Sequence, residues 1–585
     1  MTTDTIPLTL YGTDWRRRVQ ALVIGSGAAG LRAAIELHAR GVDALVLGKR
    51  PRGDAHTVLA AGGINAALGT MDPQDSWQIH ATDTLREGVF AADPRAVELL
   101  CREAPAAIGD LVSYGTGFAR GEDGRLLQRY FGAHRYRRTL FAGDYTGRAM
   151  IEALVAEVDR RGIPIMERFY VSDLLTSASG RVAGALGFGL DSGETGVIEA
   201  GAVLLATGGH IGVYGVSSSR KAENTGDGMA LAYLNGAELG DMELVQFHPT
   251  GMVAPGEAVG TLVTEAVRGE GGRLYNARGE RFMSRYDGAR MELSARDRVA
   301  LANYSEIVEG RGTANRGVWL DISHVEPAVI HERLPRMVAQ FRALAGIDIT
   351  RQPMEVAPTA HYSMGGVRVE AGSHWTGVPG LYAAGEVTTG VHGANRLGGN
   401  SLAECIVFGR RAGLAMAGDL DEQAPDRTEV AARVAALKGD RDGGEDALGL
   451  IHELRATMWA RAGMVRDAVG LHAGLDRIEE LAERARHVRV PRGIVAPDGL
   501  ALALDLRSML LTAEATVRGA LLRDESRGAH QRRDFPETRA AVYRRIVLRR
   551  RTGHMQADTR PLPDPSPEIV AALRDATPVV GGLLE

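Results

Sequence analysis

The chain carries only two cysteines, Cys101 and Cys405, in 585 residues. Two thiolates cannot by themselves hold an iron–sulfur cluster or a structural zinc. They leave no disulfide framework either, which fits a cytoplasmic setting. An excess of one charge is also lacking. The 68 Lys and Arg stand against 73 Asp and Glu, a formal net charge of −5, and the sequence pI is about 6.4. That balance gives no electrostatic case for binding nucleic acid or an anionic membrane surface. No apolar run reaches the length of a membrane span, and the N-terminus lacks the apolar region of a signal peptide. Arg16-Arg17-Arg18 resemble a twin-arginine signal. The apolar run after them, Ala21–Ile24, is too short for export and leads straight into a glycine loop. Direct membrane insertion is not expected, so any membrane contact needs a tethering partner.

What is present is apolar material for large cores, 45% of the residues, and a length that implies two to four domains. Residues 19–50 read as strand (Val19–Ile24), glycine loop, helix (Leu31–Arg40) and second strand (Ala44–Leu47). The apolar strands Ala202–Ala206 and Leu381–Ala384 also run into glycine. Three such strands predict one sheet gathered from distant segments, with a ligand across the strand carboxyl ends. The fold class expected is α/β: a Rossmann-like domain with an inserted α+β capping domain and a C-terminal helical domain. The boundaries expected are 1–234 with 356–430 for the discontinuous first domain, 235–355 for the cap and 431–550 for the helical domain. Helices are expected at Leu450–Ala460, Leu475–His487 and Asp505–Leu522. Asp419–Asp446 reads as an exposed linker around one short helix. The tail, 551–585, holds five prolines from Gln556 onward and is expected to wrap a surface without its own core.

The run Gly25-Ser26-Gly27-Ala28-Ala29-Gly30 has a physical rationale. Two glycines allow a tight turn and close approach to a pyrophosphate, the third lets helix and strand pack, and the helix N-terminus faces the phosphates. The second strand ends Leu47-Gly48-Lys49-Arg50 with no acid, which weakens NAD and leaves FAD as the ligand. Asp227, in Thr225-Gly226-Asp227-Gly228, either accepts from a nucleotide group or forms a plain Asp-Gly turn. Four cation-capable residues lie further along in turn-rich or Gly/Pro-bounded stretches: His248, Arg296, His361 and Arg396. Together they predict a pocket for a small dianion beside the cofactor. Singly each has a plainer reading, such as a turn-capping histidine before Pro249 or an Arg296–Asp297 surface pair.

The ordered motifs resemble the flavoprotein subunits of succinate dehydrogenase and fumarate reductase, with L-aspartate oxidase in the same superfamily. They run from His56-Thr57-Val58 and Gly62–Gly69 through Asp75-Ser76-Trp77, Phe131-Gly132 and Gln246–Thr250. They continue with Thr264–Gly271, Ala295-Arg296-Asp297, His361–Gly366, Gly380–Glu386, His392–Leu402 and Glu525–His530. The resemblance covers about residues 20 to 540.

The resemblance implies FAD held by Gly25, Ser26, Gly27, Ala28, Ala29, Gly30, Lys49, His56, Thr57, Gly62, Gly63, Asp227, Glu386, Ser401 and Leu402. It places His56 where succinate dehydrogenases and fumarate reductases bond FAD covalently. It implies that His248, Thr264, His361 and Arg396 hold the two carboxylates of a C4-dicarboxylate, with Phe131 beside them. It makes Arg296, coupled to Glu265 and Arg268, the proton relay. A lone arginine is a poor base, so a relay is the better account. Aspartate oxidases carry glutamate at the place of Phe131, and a phenylalanine leaves a substrate ammonium unpaired. Asp54-Ala55 replaces the usual Arg-Ser, and Ala61 replaces the usual Gln or Glu.

The function expected is succinate–fumarate interconversion, with L-aspartate oxidation to iminoaspartate as the alternative. A third reading, a non-catalytic flavin-binding or assembly subunit, is opposed by the intact Arg296 and Arg396. The partners implied are an iron–sulfur subunit, and through it a membrane anchor. That places the chain in the cytoplasm or peripherally on the membrane's cytoplasmic face.

Overall fold

The computed structural model describes residues 13–439, 441–490, 498–539 and 543–575. Its central sheet has the strand order Ile165–Met166, Ala44–Leu47, Trp15–Ile24, Thr195–Leu205, Val182–Gly189, Phe169–Thr176. Trp15–Ile24 runs parallel to both neighbours, with Ile24 level with Leu47 and Leu205. Thr195–Leu205 changes partner along its length. Its start pairs antiparallel with Val182–Gly189, and its end pairs parallel with Leu381–Ala383. The three strands expected to share a sheet therefore do so, and their carboxyl ends lie side by side. The apolar runs Ala21–Ile24, Ala44–Leu47 and Ala202–Leu205 are buried on both faces, as parallel strands with helices packed over them require.

The first helix spans Ala28–Ala39, three residues earlier than its apolar periodicity indicates. It therefore includes Gly30. A Cβ on Gly30 would lie 1.9 Å from the carbonyl oxygen of Gly25. Gly25 itself has φ +119° and passes close to the Ala206 carbonyl. The first and third glycines thus let the chain turn and let the helix close onto the loop.

A second sheet has the order Val245–Met252, Met354–Ser363, Val318–Asp321, Arg273–Tyr275, all antiparallel. With the helices Arg296–Glu306 and Pro335–Ala345 it forms the inserted unit, around a core that includes Val267, Leu274, Val299, Leu320, Met337 and Phe341. The strand Met354–Ser363 crosses the boundary expected at 355/356 and carries His361.

Three long helices follow, Ala447–Arg461, Ala468–Ala485 and Asp498–Leu522. They share a core of Leu450, Leu454, Met458, Leu471, Ile478 and Met509 that also takes in Phe247, Ala300 and Ala360 of the inserted unit. The segment 419–446 contains the helix Arg427–Lys438, which buries Val430, Val434 and Leu437.

The tail differs from expectation. His554–Pro561 is a strand paired with Arg544–Arg551 across a Thr552-Gly553 turn, both at positive φ. The helix Pro567–Asp575 then packs Ile569 among Ala81, Leu85 and Val97. The last ten residues, 576–585, lie outside the described part. Among the described residues no helix is long and apolar enough to cross a membrane.

The close contact at Gly30 makes a signed prediction. Gly30→Ala pushes against backbone, and overpacking of this kind costs about 1–3 kcal/mol. Gly109, inside a helix with no atom within 4 Å of a new Cβ, gains up to about 1 kcal/mol on Gly109→Ala. Thermal unfolding of both variants should show a lowered midpoint for the first and an unchanged or raised one for the second.

Candidate active site

A single elongated cavity of about 570 Å³ runs from the Gly25 loop to the underside of the inserted unit. At one end its wall is Gly25, Ser26, Gly27, Ala28 and Ala29. The helix that starts at Ala28 has Gly27 at its N-cap and no side-chain cap. The Ala28 N–H donates to the Thr57 hydroxyl at 3.4 Å, and the next N–H groups of the first turn have no side-chain cap, the arrangement that receives an anion. A second helix, Asn400–Ala417, starts the same way. Its N-cap Gly399 has φ +86° and no side-chain cap, and Ser401 and Leu402 line the cavity. Asn65 fixes that start by donating to the Gly398 carbonyl at 2.6 Å and to Asn400 at 2.7 Å. His80 meets Asn400 at 2.8 Å, and burial keeps it neutral, with a pKa of about 3.

Lys49 also lines this end. Its ammonium lies 2.7 Å from Asp505 and 3.8 Å from Asp227, 4.7 Å over the Tyr170 ring. Asp505 accepts from the Tyr170 hydroxyl at 2.9 Å as well. Lys49 is thus a paired cation in the cavity wall, held by a carboxylate 456 residues away in sequence. Two uncapped helix starts, a fixed lysine and an apolar floor of Ile24, Leu47 and Ala206 fit a dinucleotide with a buried pyrophosphate. FAD meets that description.

The far end collects the dianion residues. His248 and His361 stand edge to face with ring centroids 5.1 Å apart. Burial pushes both imidazoles well below their ordinary pKa. Arg296 and Arg268 add to this at His248, and His248, Arg396 and Arg296 add to it at His361. Both rings are therefore neutral. The Thr250 N–H donates to His248 Nδ1 at 3.2 Å while the Thr250 hydroxyl donates to the Val263 carbonyl. The Thr250 carbonyl lies at the same 3.2 Å from that nitrogen, so either neutral tautomer of His248 finds a partner at Thr250. His361 Nδ1 is 3.0 Å from the Ser218 hydroxyl.

Arg396 stacks 4.3 Å over the Tyr362 ring and donates to Ser401 at 3.1 Å. Its Nε has no hydrogen-bond partner among the described residues. Burial and the neighbouring Arg296 lower it only to about 10, so it stays cationic. Tyr362 is held in turn by Glu404 at 2.6 Å, which His392 also meets at 2.8 Å. Thr264 is buried in the same wall. Phe131 presents an apolar face, pressed so close to Gly62 that a Cβ there would come within 2.7 Å of its ring.

Between the histidines and Arg396 stands an arginine–glutamate–arginine row. Arg296 donates to Oε2 of Glu265 through Nε at 2.6 Å, and its Nη2 lies 2.5 Å from the same oxygen as an ion pair. Arg268 Nη2 lies 3.8 Å from the other carboxylate oxygen, a Coulombic contact longer than a hydrogen bond. Burial alone would raise the Glu265 carboxyl. Arg296 and Arg268 overcome it and hold Glu265 far below the usual carboxylate range.

Of the residues expected at the site, all but two line the cavity: Thr57, Gly63, Glu386 and the others named above do so. Gly30 packs behind the loop. Arg268 sits one layer back, behind Glu265.

Three contributors went unassigned in the sequence. Asp505 lies in a helix whose periodicity gives no hint of it. Gln246 donates to Asn395 at 2.8 Å and to the Arg396 carbonyl at 2.9 Å, and it accepts from Arg296 at 3.4 Å. It thereby ties Arg396 to Arg296. Its place two residues before His248 on one strand was the available signal. Glu223 meets His56 Nδ1 at 3.4 Å.

Comparison with known proteins identifies the family. Residues 20–402 match the FAD binding domain family, and residues 451–566 match the fumarate reductase flavoprotein C-terminal family. The chain is 46% identical over 534 residues to one of the subunits of the fumarate reductase (CoM/CoB) of Methanothermobacter marburgensis, covering 91% of this chain and 97% of that protein. It is 36% identical to the succinate dehydrogenase flavoprotein subunit of Rickettsia bellii, covering 89% and 91%. Among solved structures, the E. coli quinol fumarate reductase FrdA chain superimposes with a TM-score of 0.88 at 32% identity, covering 95% and 99%. The chain therefore belongs to the family of succinate dehydrogenase and fumarate reductase flavoprotein subunits and is an FAD-dependent oxidoreductase.

Proposed function

We propose that this chain interconverts succinate and fumarate as the catalytic subunit of a larger complex. The observation that carries the reading is the convergence of Arg396, two neutral histidines and the Arg296–Glu265–Arg268 row at one end of the cofactor cavity. FAD, when bound, supplies the hydride acceptor or donor. The chain's own residues do the rest. Arg396 is suited to fork one carboxylate. His248, together with His361 and Thr264, is suited to the other. Holding both ends fixes which carbon meets the flavin, and that positioning is a large part of the rate. Arg296 gives or takes the proton on the adjacent carbon, and Glu265 with Arg268 returns it.

The alternative, L-aspartate oxidation, is not favoured. The relatives above are named for fumarate reductase and succinate dehydrogenase, and Phe131 offers no countercharge to an ammonium. We further propose covalent attachment of FAD at His56, which lines the cavity. The electrons then leave through an iron–sulfur subunit, which in turn contacts a membrane anchor. The family's subunit character and the scarcity of cysteine in this chain support that route.

Anaerobic addition of succinate should bleach the flavin and fumarate should restore it, while aspartate leaves it oxidised. Bleaching by aspartate instead would overturn the reading. Arg296→Gln removes the proton relay and should lower turnover about 10²–10⁴-fold with KM changed only a few-fold. Arg396→Gln removes a charge-assisted contact of about 2–3 kcal/mol and should raise KM roughly 30- to 150-fold. Because burial holds His248 and His361 below their ordinary pKa, both stay neutral across about pH 6–8. Nitrogen NMR of labelled imidazoles should show no titration there.

A further inference from the structure

A second group of charged side chains, apart from clamp and relay, closes around His56. His56 begins the short turn His56–Leu59 in the cavity wall. Its Nδ1 lies 3.4 Å from Oε2 of Glu223, a side chain only 8% exposed. Arg220 grips both oxygens of that carboxylate, Nε at 2.9 Å and Nη2 at 2.5 Å. Arg220 is gripped in turn by the Asp54 side chain at 2.5 Å and the Asp54 carbonyl at 3.1 Å. Arg50 completes the ring, 2.7 Å from Asp54 and 3.3 Å from Glu223. Two guanidiniums and two carboxylates cancel, and His56 lines the cavity together with Glu223, Arg220 and Arg50.

The arrangement decides which nitrogen of His56 reacts. Burial would raise the Glu223 carboxyl, but His56 and Arg220 bring it down to about 2, so it is ionised at any working pH. A carboxylate can only accept, so Nδ1 must be the donor. A neutral imidazole then has its lone pair on Nε2, which has no protein partner among the described residues. Orientation of a histidine by a carboxylate on its other nitrogen is a general way to make one ring nitrogen the reactive one.

We propose that Glu223 is the positioning residue for covalent attachment of the flavin, holding His56 with Nε2 free to attack. The inference rests on the reading that His56 carries FAD. The bond formed joins Nε2 to the methyl carbon of the flavin's benzenoid ring, and one C–H bond of that methyl breaks. The methyl proton and the Nδ1 proton are lost to solvent. The two electrons remain on the isoalloxazine until fumarate takes them with two protons and becomes succinate. Glu223 stabilises the positive charge that develops on the ring as the new bond forms. Asp54 acts through Arg220, which gives that departure from the family pattern a role.

The test uses purified holoprotein with two readouts that do not depend on turnover. One is flavin fluorescence retained by the acid-denatured band on a gel, and the other is the mass of the peptide carrying His56. The variants are Glu223→Gln, Glu223→Asp and, as a reference for loss, His56→Ala. The expected result is a flavin-bearing peptide in the unaltered protein. Glu223→Gln should drop the covalent fraction at least tenfold while flavin content stays near stoichiometric, and Glu223→Asp should restore part of it. Covalent flavin in Glu223→Gln at the unaltered level overturns the role of Glu223 alone. Free flavin in the unaltered protein overturns the attachment at His56 and this role with it. Loss of all flavin from both Glu223 variants shows a structural part only and also overturns the proposal.

Discussion

Glu265 is a carboxylate 5% exposed, and the arrangement of the reacting end follows from how it is paired. Taking a carboxylate out of water costs several kcal/mol unless cations and donors replace the water. Here Arg296 supplies a short hydrogen bond and a close ion pair to one oxygen, the Gly132 N–H a hydrogen bond at 3.1 Å to the other, and Arg268 a charge at 3.8 Å. The same pairing is what permits two guanidiniums to be buried side by side. Arg396 is close enough for Arg296 to depress it, while Glu386 and Glu265 act on it in the opposite sense, so three buried guanidiniums outnumber the carboxylates nearest the clamp. The two histidines respond by staying neutral. The region around the clamp is left with an excess of positive charge, which a dianion completes. The clamp and the proton relay are therefore one electrostatic unit.

Backbone placement keeps that unit in register with the cofactor. His248 and His361 come from neighbouring strands of the inserted sheet. Arg296 comes from the first turn of a helix on the same unit. Arg396 comes from the loop before the helix Asn400–Ala417, whose start Asn65 and His80 hold. Gln246 and Asn395 join the two sides. The substrate end thus lies between the inserted unit and the dinucleotide sheet, where a small change in their relation alters clamp and relay together.

The sequence made legible what is local or rests on residue type. The glycine loop is a contiguous run, and the three strands that end in glycine could be matched by pattern. The four cation-capable residues stand in Gly- and Pro-bounded segments that mark positioned loops and strand ends. What it hid depends on distant pairing. Asp505 reaches Lys49 across most of the chain, and the ring around His56 draws on residues 50, 54, 220 and 223. The tail strand His554–Pro561 was obscured by the prolines that follow it, although Thr552-Gly553 was a hairpin signal. All three C-terminal helices begin earlier than expected, the last at Asp498 and the first two at Ala447 and Ala468. Asp446 and Asp467 cap them, and an Asp just ahead of an apolar-periodic run was a readable start signal. Ala61, buried at 3%, stands where the family carries a polar group, and nothing in the structure explains the replacement.

The claim that Glu265 serves proton movement while the excess positive charge serves binding has one direct test. Reduced holoenzyme of Glu265→Gln is mixed with fumarate, and flavin reoxidation is followed in a single turnover beside a titration with malonate, an inert dicarboxylate. The account predicts reoxidation slowed about 10²–10⁴-fold, with malonate bound at least as tightly as before, because a negative charge has been removed from the site. Reoxidation at the unaltered rate, or a loss of malonate binding that matches the loss of rate, would contradict it.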